Sequence, residues 1–460
     1  MDIEAKVWSI CDILRADGMH IGTYIEQLTV LLFLKMLDEQ QAMGSGVPLP
    51  EGCDWQTLKS KQGLDLLNYY AYTLLPKLAE QSGVIGDIFA RVNNQFREPV
   101  NLRRAIDELD EVNWSALEAD VKGAIYESLL ERYAREAKGA GQYFTPRSAI
   151  RAAVQVIAPR ASEDINDPAA GTGGFLIGAY EYILAQTHGG ADLKREERRR
   201  LKSQTFSGGE LVAETSRLAL MNLALHGIEP EYFYLGDSLG PGSHTERRYE
   251  VVMTNPPYGG RLQRPPKRPE FVVESRSSEL NFVMHVASTL RHDRGRAVMV
   301  VPDGVLFQRG EAQRVRETLL EDCDVYTILA LPQSAFVPYT GVQTNLIFFR
   351  KPGPTEAVWM YDLRTGIPSR TKKARPLTFD LFEDFLEKQP GRVEGERSWV
   401  VKRETLAERD FILTPERYNP NQVARYEYVP PLWVAREIQE HHHRVAEAIK
   451  VLTELLEEKT

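Results

Sequence analysis

The chain has 460 residues, 43% of them hydrophobic and 26% charged, which is the balance of an ordinary globular protein. Its three scattered cysteines, Cys11, Cys53 and Cys323, predict a reducing, cytoplasmic compartment and exclude a disulfide framework or a zinc site. No signal peptide opens the chain, and charges interrupt the apolar run around Val30–Leu34, so no membrane association is expected. A net charge of −9 argues against a protein that holds nucleic acid unaided.

The N-terminal third carries the apolar spacing of helices. Apolar residues repeat every three or four positions in Glu4–Leu14, Ile25–Leu37 and Leu102–Leu109, and Trp55–Leu58 can begin another short helix. An all-helical N-terminal domain over residues 1–138 is therefore predicted. Gly139-Ala140-Gly141 then marks a flexible joint.

A glycine-rich loop, Asp167–Leu176, follows a weak strand candidate that ends near Ile165. Glycines at 171, 173 and 174 allow the backbone to approach a ligand closely, and an apolar helix pattern follows. The spacing is neither that of the dinucleotide-binding motif nor that of the P-loop, so a phosphate ligand is not favoured. Asp167 instead suits a cationic ligand such as an amino group.

Two further carboxylates follow strand candidates. Glu210 comes after Gln204–Gly208 and can accept both hydroxyls of a ribose, as in other nucleoside-binding α/β folds. Asp237 comes after Tyr232–Leu235 and can accept a hydrogen bond from an adenine amino group. For each acid taken singly, a solvated loop carboxylate or a helix cap is the alternative.

The tetrapeptide Asn255-Pro256-Pro257-Tyr258 follows the mostly apolar strand candidate Tyr249–Met253. The prolines stiffen the backbone where the strand ends, which in an open α/β sheet is where ligands bind. The Asn255 side-chain oxygen and the Pro256 carbonyl can accept both hydrogens of a planar amine, and an exposed Tyr258 ring can stack on its aromatic ring. A flipped-out adenine fits this description. The alternative is a strand-to-loop turn with a packing tyrosine.

Further strand candidates alternate with helix candidates up to residue 350, which predicts a mostly parallel sheet. They are Ala297–Val301, Val325–Leu331 and Asn345–Phe349. A Pro-rich basic stretch directly after the tetrapeptide contains Arg261, Arg264, Lys267 and Arg268. This stretch either follows a DNA backbone or is a solvated charged loop.

Beyond residue 350 the sequence is mixed and polar, and a helix is predicted from about Trp433 to Glu458. Its apolar stripe, Val445, Ile449, Leu452 and Leu456, either docks a partner or packs on the protein itself. His441-His442-His443 cannot share one helix face and is interpreted as solvated, so no metal site is predicted.

These motifs together resemble the modification (methyltransferase) subunit of type I restriction-modification systems, from the N-terminal helices to about residue 430. The matching segments are Gly139–Arg147, Asp167–Leu176, Gly209–Leu211, Arg217–Asn222, Thr254–Gly259, Gly295–Ala297, Val300–Phe307, Thr344–Phe349 and Tyr361–Thr365. The resemblance implies a Rossmann-like S-adenosylmethionine-dependent methyltransferase domain over residues 139–365. The all-helical domain precedes it, and a C-terminal region with a helical tail for subunit docking, residues 366–460, follows.

The resemblance also implies roles for residues. Asn255, Pro256, Pro257 and Tyr258 would bind and activate the target adenine. The cofactor-binding residues would be Gln142, Tyr143, Phe144, Thr145, Pro146, Arg147, Asp167, Gly171, Thr172, Gly173, Gly174, Glu210, Asp237 and Ser238. Ala170 stands where many relatives carry Cys, and Tyr258 where many carry Phe; neither departure puts activity in doubt.

The implied function is methyl transfer from S-adenosylmethionine to adenine N6 in a specific duplex DNA sequence. The implied partners are double-stranded DNA, one specificity subunit for two such chains, and a restriction subunit in the full complex. Two alternatives remain: a protein-glutamine methyltransferase, whose amide substrate is also planar, and a catalytically silent assembly subunit.

Overall fold

The computed structural model describes residues 3–44, 49–114, 145–242, 246–333, 335–336, 341–364 and 377–420, together with residues 439, 445, 449 and 450. The chain forms two compact units, Met1–Tyr418 and Asn419–Thr460. All the helices, strands and site residues described below belong to the first unit. None of the helices in the described ranges combines the length and the apolar character needed to cross a membrane.

Helices account for all the regular structure in the described part of residues 3–114. They are α1 (Ile3–Ala16), α2 (Ile21–Ala42), α3 (Trp55–Ser60), α4 (Gly63–Tyr69), a π-helical turn (Tyr70–Leu74), α5 (Leu75–Ala79), α6 (Val84–Phe89) and α7 (Pro99–Asp110). Local chemistry sets their starts: the Asp54 carboxylate accepts a hydrogen bond from the Thr57 amide before α3, and Pro99 occupies the first turn of α7. The predicted N-terminal helices are confirmed.

Nine strands in the described residues form one mixed sheet. They are β1 (Ile165–Asp167), β2 (Phe206–Glu210), β3 (Tyr232–Leu235), β4 (Val251–Thr254), β5 (Arg296–Pro302), β6 (Asp324–Ala330), β7 (Thr344–Arg350), β8 (Ala357–Asp362) and β9 (Ser398–Lys402). Their order is β3-β2-β1-β4-β5-β7-β6-β8-β9. The first five strands of this order, β3-β2-β1-β4-β5, pair in parallel. Strand β7 runs antiparallel to β5 and β6, β6 pairs in parallel with β8, and β9 runs antiparallel to β8.

Helices cover both faces of the sheet. They are α8 (Arg147–Ile157), α9 (Gly174–Gln186), α10 (Arg195–Ser203), α11 (Ala213–Leu225), α12 (Ser278–Thr289), α13 (Asp303–Phe307), α14 (Glu311–Asp322), α15 (Glu383–Lys388) and α16 (Arg403–Ala407), with short 3₁₀ turns at Phe379–Phe382 and Pro415–Tyr418. Because side chains alternate along a strand, Val251 and Met253 face one apolar core with α8 and α9, while Val252 faces a second core with α12 and α14.

The predicted strands are confirmed within one or two residues at most ends, and the sheet also extends further than predicted. Strands β8 and β9 lie in the sequence that was interpreted as mixed and polar, and β9 pairs with β8 beyond residue 365. The domain boundaries at 138 and 365 stay predictions. The Gly139–Gly141 joint, His441–His443 and most of the predicted helix Trp433–Glu458 lie outside the described residues; Val445 and Ile449, which are described, are exposed.

Helix α11 joins the N-terminal helices to the sheet. Its residues Leu218, Leu220, Met221 and Ala224 belong to the apolar core of the N-terminal helices. Beside this contact, the buried Arg217 guanidinium pairs with the Glu26 carboxylate of α2 at 2.5 Å. Burial raises the pKa of Glu26, so this carboxylate depends on Arg217 to stay charged at low energetic cost.

We expect Arg217→Met to lower the free energy of unfolding by about 2 kcal/mol, because it leaves a partly buried carboxylate without its counter-ion. Urea unfolding followed by tryptophan fluorescence measures the change. Glu26→Gln/Arg217→Met removes both charges and should be more stable than the single variant. A double variant as unstable as the two single changes added together would show that the pair does not interact.

Candidate active site

The carboxyl ends of β1 to β4 meet at one edge of the sheet. Asp167 is the last residue of β1 and Glu210 the last residue of β2. Asp237 follows β3 by two residues, and Asn255 directly follows β4. The chain moves outward through β1, β2 and β3 in one direction and through β4 and β5 in the other, so the strand order reverses between β1 and β4. Ligands of open α/β sheets bind at such a point.

A cavity of about 1380 Å³ opens at this edge and brings most of the predicted site residues together. The predicted residues that line it are Thr145, Arg147, Asp167, Gly171, Thr172, Gly174, Glu210, Asp237, Ser238, Asn255, Pro256, Pro257 and Tyr258. Pro146 and Gly173 do not line it; they immediately precede α8 and α9. Gln142, Tyr143 and Phe144 lie outside the described residues.

Hydrogen bonds to β2 and α11 hold the glycine-rich loop in place. The Ala170 amide donates to the Gly209 carbonyl at 2.9 Å, which fixes the loop to the neighbouring strand. Gly171 and Gly173 have φ values of 55° and 83°, a conformation that favours glycine. On the far side, the Asn222 side-chain amide of α11 donates to the Thr172 carbonyl at 3.0 Å. The loop therefore presents a fixed backbone surface to the cavity.

Asp167 lies at the floor of the cavity and is only 1% exposed. Its carboxylate accepts a hydrogen bond from the Ala169 amide at 3.1 Å. Burial raises the pKa of Asp167 to about 7; the Ala169 amide opposes the shift and repulsion from Glu210 adds to it. Among the described residues, no cation acts on this buried carboxylate, which makes it a favourable place for a positively charged ligand group.

Glu210 joins the first two strand ends through both carboxylate oxygens. One oxygen accepts from the Gly171 amide at 3.1 Å, and the other accepts from the Val212 amide at 2.9 Å. Burial raises the pKa of Glu210, while these amides oppose the shift. Because each oxygen has a second acceptor position, the side chain can still receive hydrogen bonds from a ligand diol.

The loop after β3 adds a third carboxylate. The Asp237 carboxylate accepts from the Leu239 amide at 2.9 Å, which fixes its direction. The Ser238 hydroxyl donates to the Pro168 carbonyl and accepts from the Tyr234 hydroxyl. Ser238 thus connects the loops after β1 and β3 in addition to lining the cavity.

Asn255 lies at the centre of a hydrogen-bonded chain. Its side-chain nitrogen donates to the Thr145 hydroxyl at 2.9 Å, and its side-chain oxygen accepts from the Tyr258 hydroxyl. Tyr258 is only 8% exposed, and Phe336 packs against its ring in an edge-on geometry at 6.1 Å between centroids. The expectation of an exposed Tyr258 ring is therefore wrong, because Phe336 and the bond to Asn255 hold the ring inside the cavity wall.

Two lining residues were assigned no role from the sequence. Leu211 is 66% exposed directly after Glu210, where an apolar side chain can cover the face of a ligand ring. Asn222 supports the glycine-rich loop from the second half of α11, where it interrupts the apolar run Leu218–Leu225. A polar amide inside an apolar helical run is a local signal that could have identified Asn222.

The cavity combines an acidic half with an amide-bearing half. Asp167, Glu210 and Asp237 suit a ligand with a cationic group and hydroxyls. Asn255 and the Pro256 carbonyl offer acceptors for a planar amine on the other side of the β1/β4 boundary. The arrangement suits two ligands held next to each other.

Comparison with known proteins agrees with this geometry. Residues 117–425 match the model of the N-6 DNA methylase family, and residues 3–109 match the HsdM N-terminal domain. The type I restriction enzyme StySPI methylase subunit of Salmonella potsdam is 36% identical over 433 residues, which cover 88% of this chain and 81% of that protein.

Solved structures show the same relationship. A modification subunit of a putative type I restriction enzyme from Vibrio vulnificus YJ016 is 27% identical, with a TM-score of 0.79 over 91% of this chain and 96% of that one. A chain from a structure on complex assembly and conformational transition of the type I R-M system is 30% identical, with a TM-score of 0.75 over 99% and 98% of the two chains.

The chain therefore belongs to the N-6 DNA methylase family, among the methylase subunits of type I restriction enzymes. It is an adenine-specific DNA methyltransferase with a Rossmann-like catalytic fold and a helical N-terminal domain.

We expect the ligand-free protein to lose stability as pH rises toward 8, because Asp167 must ionise in a buried position. Its folded pKa lies above its unfolded value, so its favourable contribution is complete below about pH 4 and is lost as pH rises through 7. Between pH 5 and pH 8, wild type should lose on the order of 2–3 kcal/mol more than Asp167→Asn in urea unfolding. The exposed Glu274→Gln serves as the control and should follow wild type. Parallel pH profiles for Asp167→Asn and wild type would contradict the assignment.

Proposed function

We propose that this chain transfers a methyl group from S-adenosylmethionine to adenine N6 in a specific duplex DNA sequence, as the catalytic modification subunit of a type I restriction-modification complex. The observation that carries the proposal is the position of Asn255. Its amide ends β4 in the same cavity as the acidic residues of β1 and β2, on the other side of the β1/β4 boundary. A cofactor and a target base can therefore lie side by side.

The donor set of the acidic half fits S-adenosylmethionine. Asp167 would receive its amino group, and the backbone of Gly171–Gly174 would approach its amino acid part. Glu210 would accept the ribose hydroxyls, while Asp237 and Ser238 would bind the adenine. Thr145–Arg147, with Gln142–Phe144, would cover the methionine end. The raised pKa of Asp167 supports the amino-group role, because a cation next to this buried carboxylate restores its charge.

The other half of the cavity fits a flipped-out adenine. Bound S-adenosylmethionine supplies an electrophilic methyl group on a sulfonium. The Asn255 side-chain oxygen and the Pro256 carbonyl accept hydrogen bonds from the two N6 hydrogens. These hydrogen bonds make the nitrogen lone pair more available. A carbonyl oxygen has two acceptor positions, so Asn255 can hold the Tyr258 hydroxyl and an adenine hydrogen together. Positioning and electrostatics then provide most of the rate enhancement.

The partners that fit this function are double-stranded DNA, a specificity subunit shared by two copies of this chain, and a restriction subunit in the full complex. The net charge of −9 supports the need for a specificity subunit, because DNA affinity depends on contacts between cations and phosphates. Such a complex would act in the cytoplasm.

Asn255→Ala should bind S-adenosylmethionine within about twofold of wild type but lose about 100-fold or more in methyl transfer. Calorimetry measures binding, and label transfer to DNA measures turnover. The matched control is Tyr258→Phe, which keeps the ring, removes only the hydroxyl, and should stay within about tenfold of wild type. Full activity in Asn255→Ala would exclude the proposed role of this amide.

Methyl transfer should require a specificity subunit. Labelled S-adenosylmethionine and unmodified genomic DNA are incubated with the chain alone and with the partner, and the modified base is identified by nucleoside analysis. N6-methyladenine that appears only with the partner is the expected result. Equal labelling by the chain alone would mean that it reads DNA itself.

The same experiment separates the alternatives. Label on a protein glutamine instead of on DNA would favour the glutamine methyltransferase. Cofactor binding without label on either substrate would favour the silent assembly subunit.

A further inference from the structure

The segment Gly260–Arg276, here called the basic loop, begins two residues after Tyr258 at the mouth of the cavity. It contains five Lys or Arg residues and only two Glu residues, in a chain whose net charge is −9. Its residues Gly260 and Leu262 line the cavity. A local excess of positive charge therefore starts at the rim through which a target base would enter.

Backbone hydrogen bonds close the basic loop at its base. The Leu262 amide donates to the Arg276 carbonyl at 2.9 Å, and the Ser278 amide donates to the Gly260 carbonyl at 3.0 Å. Farther along, Phe271 and Val272 pack against the apolar core beneath α12. The loop is thus attached to the protein at both its base and its return path, and its position relative to the cavity mouth is fixed.

One cation of the loop holds the loop itself. The Arg268 side chain, 7% exposed, pairs with Glu270, contacts His285 of α12 at 2.8 Å, and lies over the Phe271 ring at 4.6 Å. Arg268 is therefore not free to bind a polyanion. It belongs to the support that presents the other cations.

The remaining cations point to solvent. Arg261, Arg264, Lys267 and Arg276 are exposed, and none of them forms an ion pair with another described residue. The neighbouring basic pair Arg247-Arg248 precedes β4 at the amino end of that strand, where Arg247 stacks on Tyr232. Arg248 lies within electrostatic range of Glu270 of the basic loop. Among the described residues, Arg147 and Arg151 line the cavity itself, and the basic loop adds exposed cations beside its lining residues Gly260 and Leu262.

We propose that the basic loop is a phosphate-binding surface that contacts the DNA backbone beside the flipped target adenine. This inference rests on the proposed DNA methyltransferase function. A base that enters the cavity brings its flanking phosphates to the rim, where Arg261, Arg264 and Lys267 lie along one segment. Contacts to phosphates hold DNA without reading its sequence, so the loop contributes affinity while the specificity subunit reads the bases.

The test compares Arg264→Gln/Lys267→Gln with Arg195→Gln/Arg199→Gln, which removes two exposed cations from α10, a helix that leads into the amino end of β2. Both variants are assembled with the specificity subunit. Methyl transfer into unmodified genomic DNA is measured over a range of salt concentrations, with calorimetry for S-adenosylmethionine binding.

The loop variant should raise the KM for DNA about tenfold and reduce the slope of log affinity against log salt by about 2, with kcat and cofactor affinity unchanged. The α10 variant should match wild type. A loop variant with an unchanged KM and salt slope would overturn the proposal. So would a loss of kcat alone, which would give the loop a role in the chemistry, or a loss of complex assembly on gel filtration, which would make it a protein-binding surface.

Failure of the underlying function gives a different result. If wild type itself transfers no methyl group to DNA, the DNA methyltransferase proposal fails and the loop proposal fails with it. If wild type is active and both variants equal it, only the loop proposal fails.

Discussion

The reversal of strand order between β1 and β4 is the constraint on which the site depends. The helix after β1, α9, packs on one face of the sheet, and the helix after β4, α12, packs on the other. The segments that follow β1 and β4 leave the sheet in opposite directions. A crevice therefore opens between Asp167 and Asn255, although their strands are hydrogen-bonded neighbours. Neither half of the cavity needs a separate scaffold, since the same sheet edge holds both.

The electrostatics of the cavity follow from that geometry. The neighbouring carboxyl ends of β1 and β2 place Asp167 and Glu210 close enough to repel each other, and burial raises the pKa of both. Backbone amides of the adjoining loops compensate only in part, so the ligand-free site stores unfavourable energy that a cationic ligand can release. At the rim the sign changes: the basic loop carries exposed cations beside an acidic interior. The interior of the cavity therefore suits a cationic ligand, whereas its rim suits a polyanion.

Local sequence predicts what depends on local physics. Strand β3 was predicted with its observed ends, and the polar residues after four strands were placed at one edge because parallel strands share a direction. Contacts between distant residues were not predictable in this way. The Phe336 ring that buries Tyr258 is 78 residues away along the chain, and the Thr145 hydroxyl that receives the Asn255 amide is 110 residues away. Strand β9 was missed for the same reason, because the short segment Ser398–Lys402 is recognisable as a strand only by its pairing with β8.

Helix α11 explains why a helical N-terminal domain accompanies this catalytic fold. Leu218, Leu220 and Met221 complete the core of the N-terminal helices, while Thr215 and Asn222 face the cavity or support its glycine-rich loop. Removing the N-terminal helices would expose this apolar surface to water and leave Arg217 without Glu26. One wall of the acidic half is therefore stabilised from both sides, so displacement of the N-terminal helices would act on the acidic half through α11 without touching the sheet.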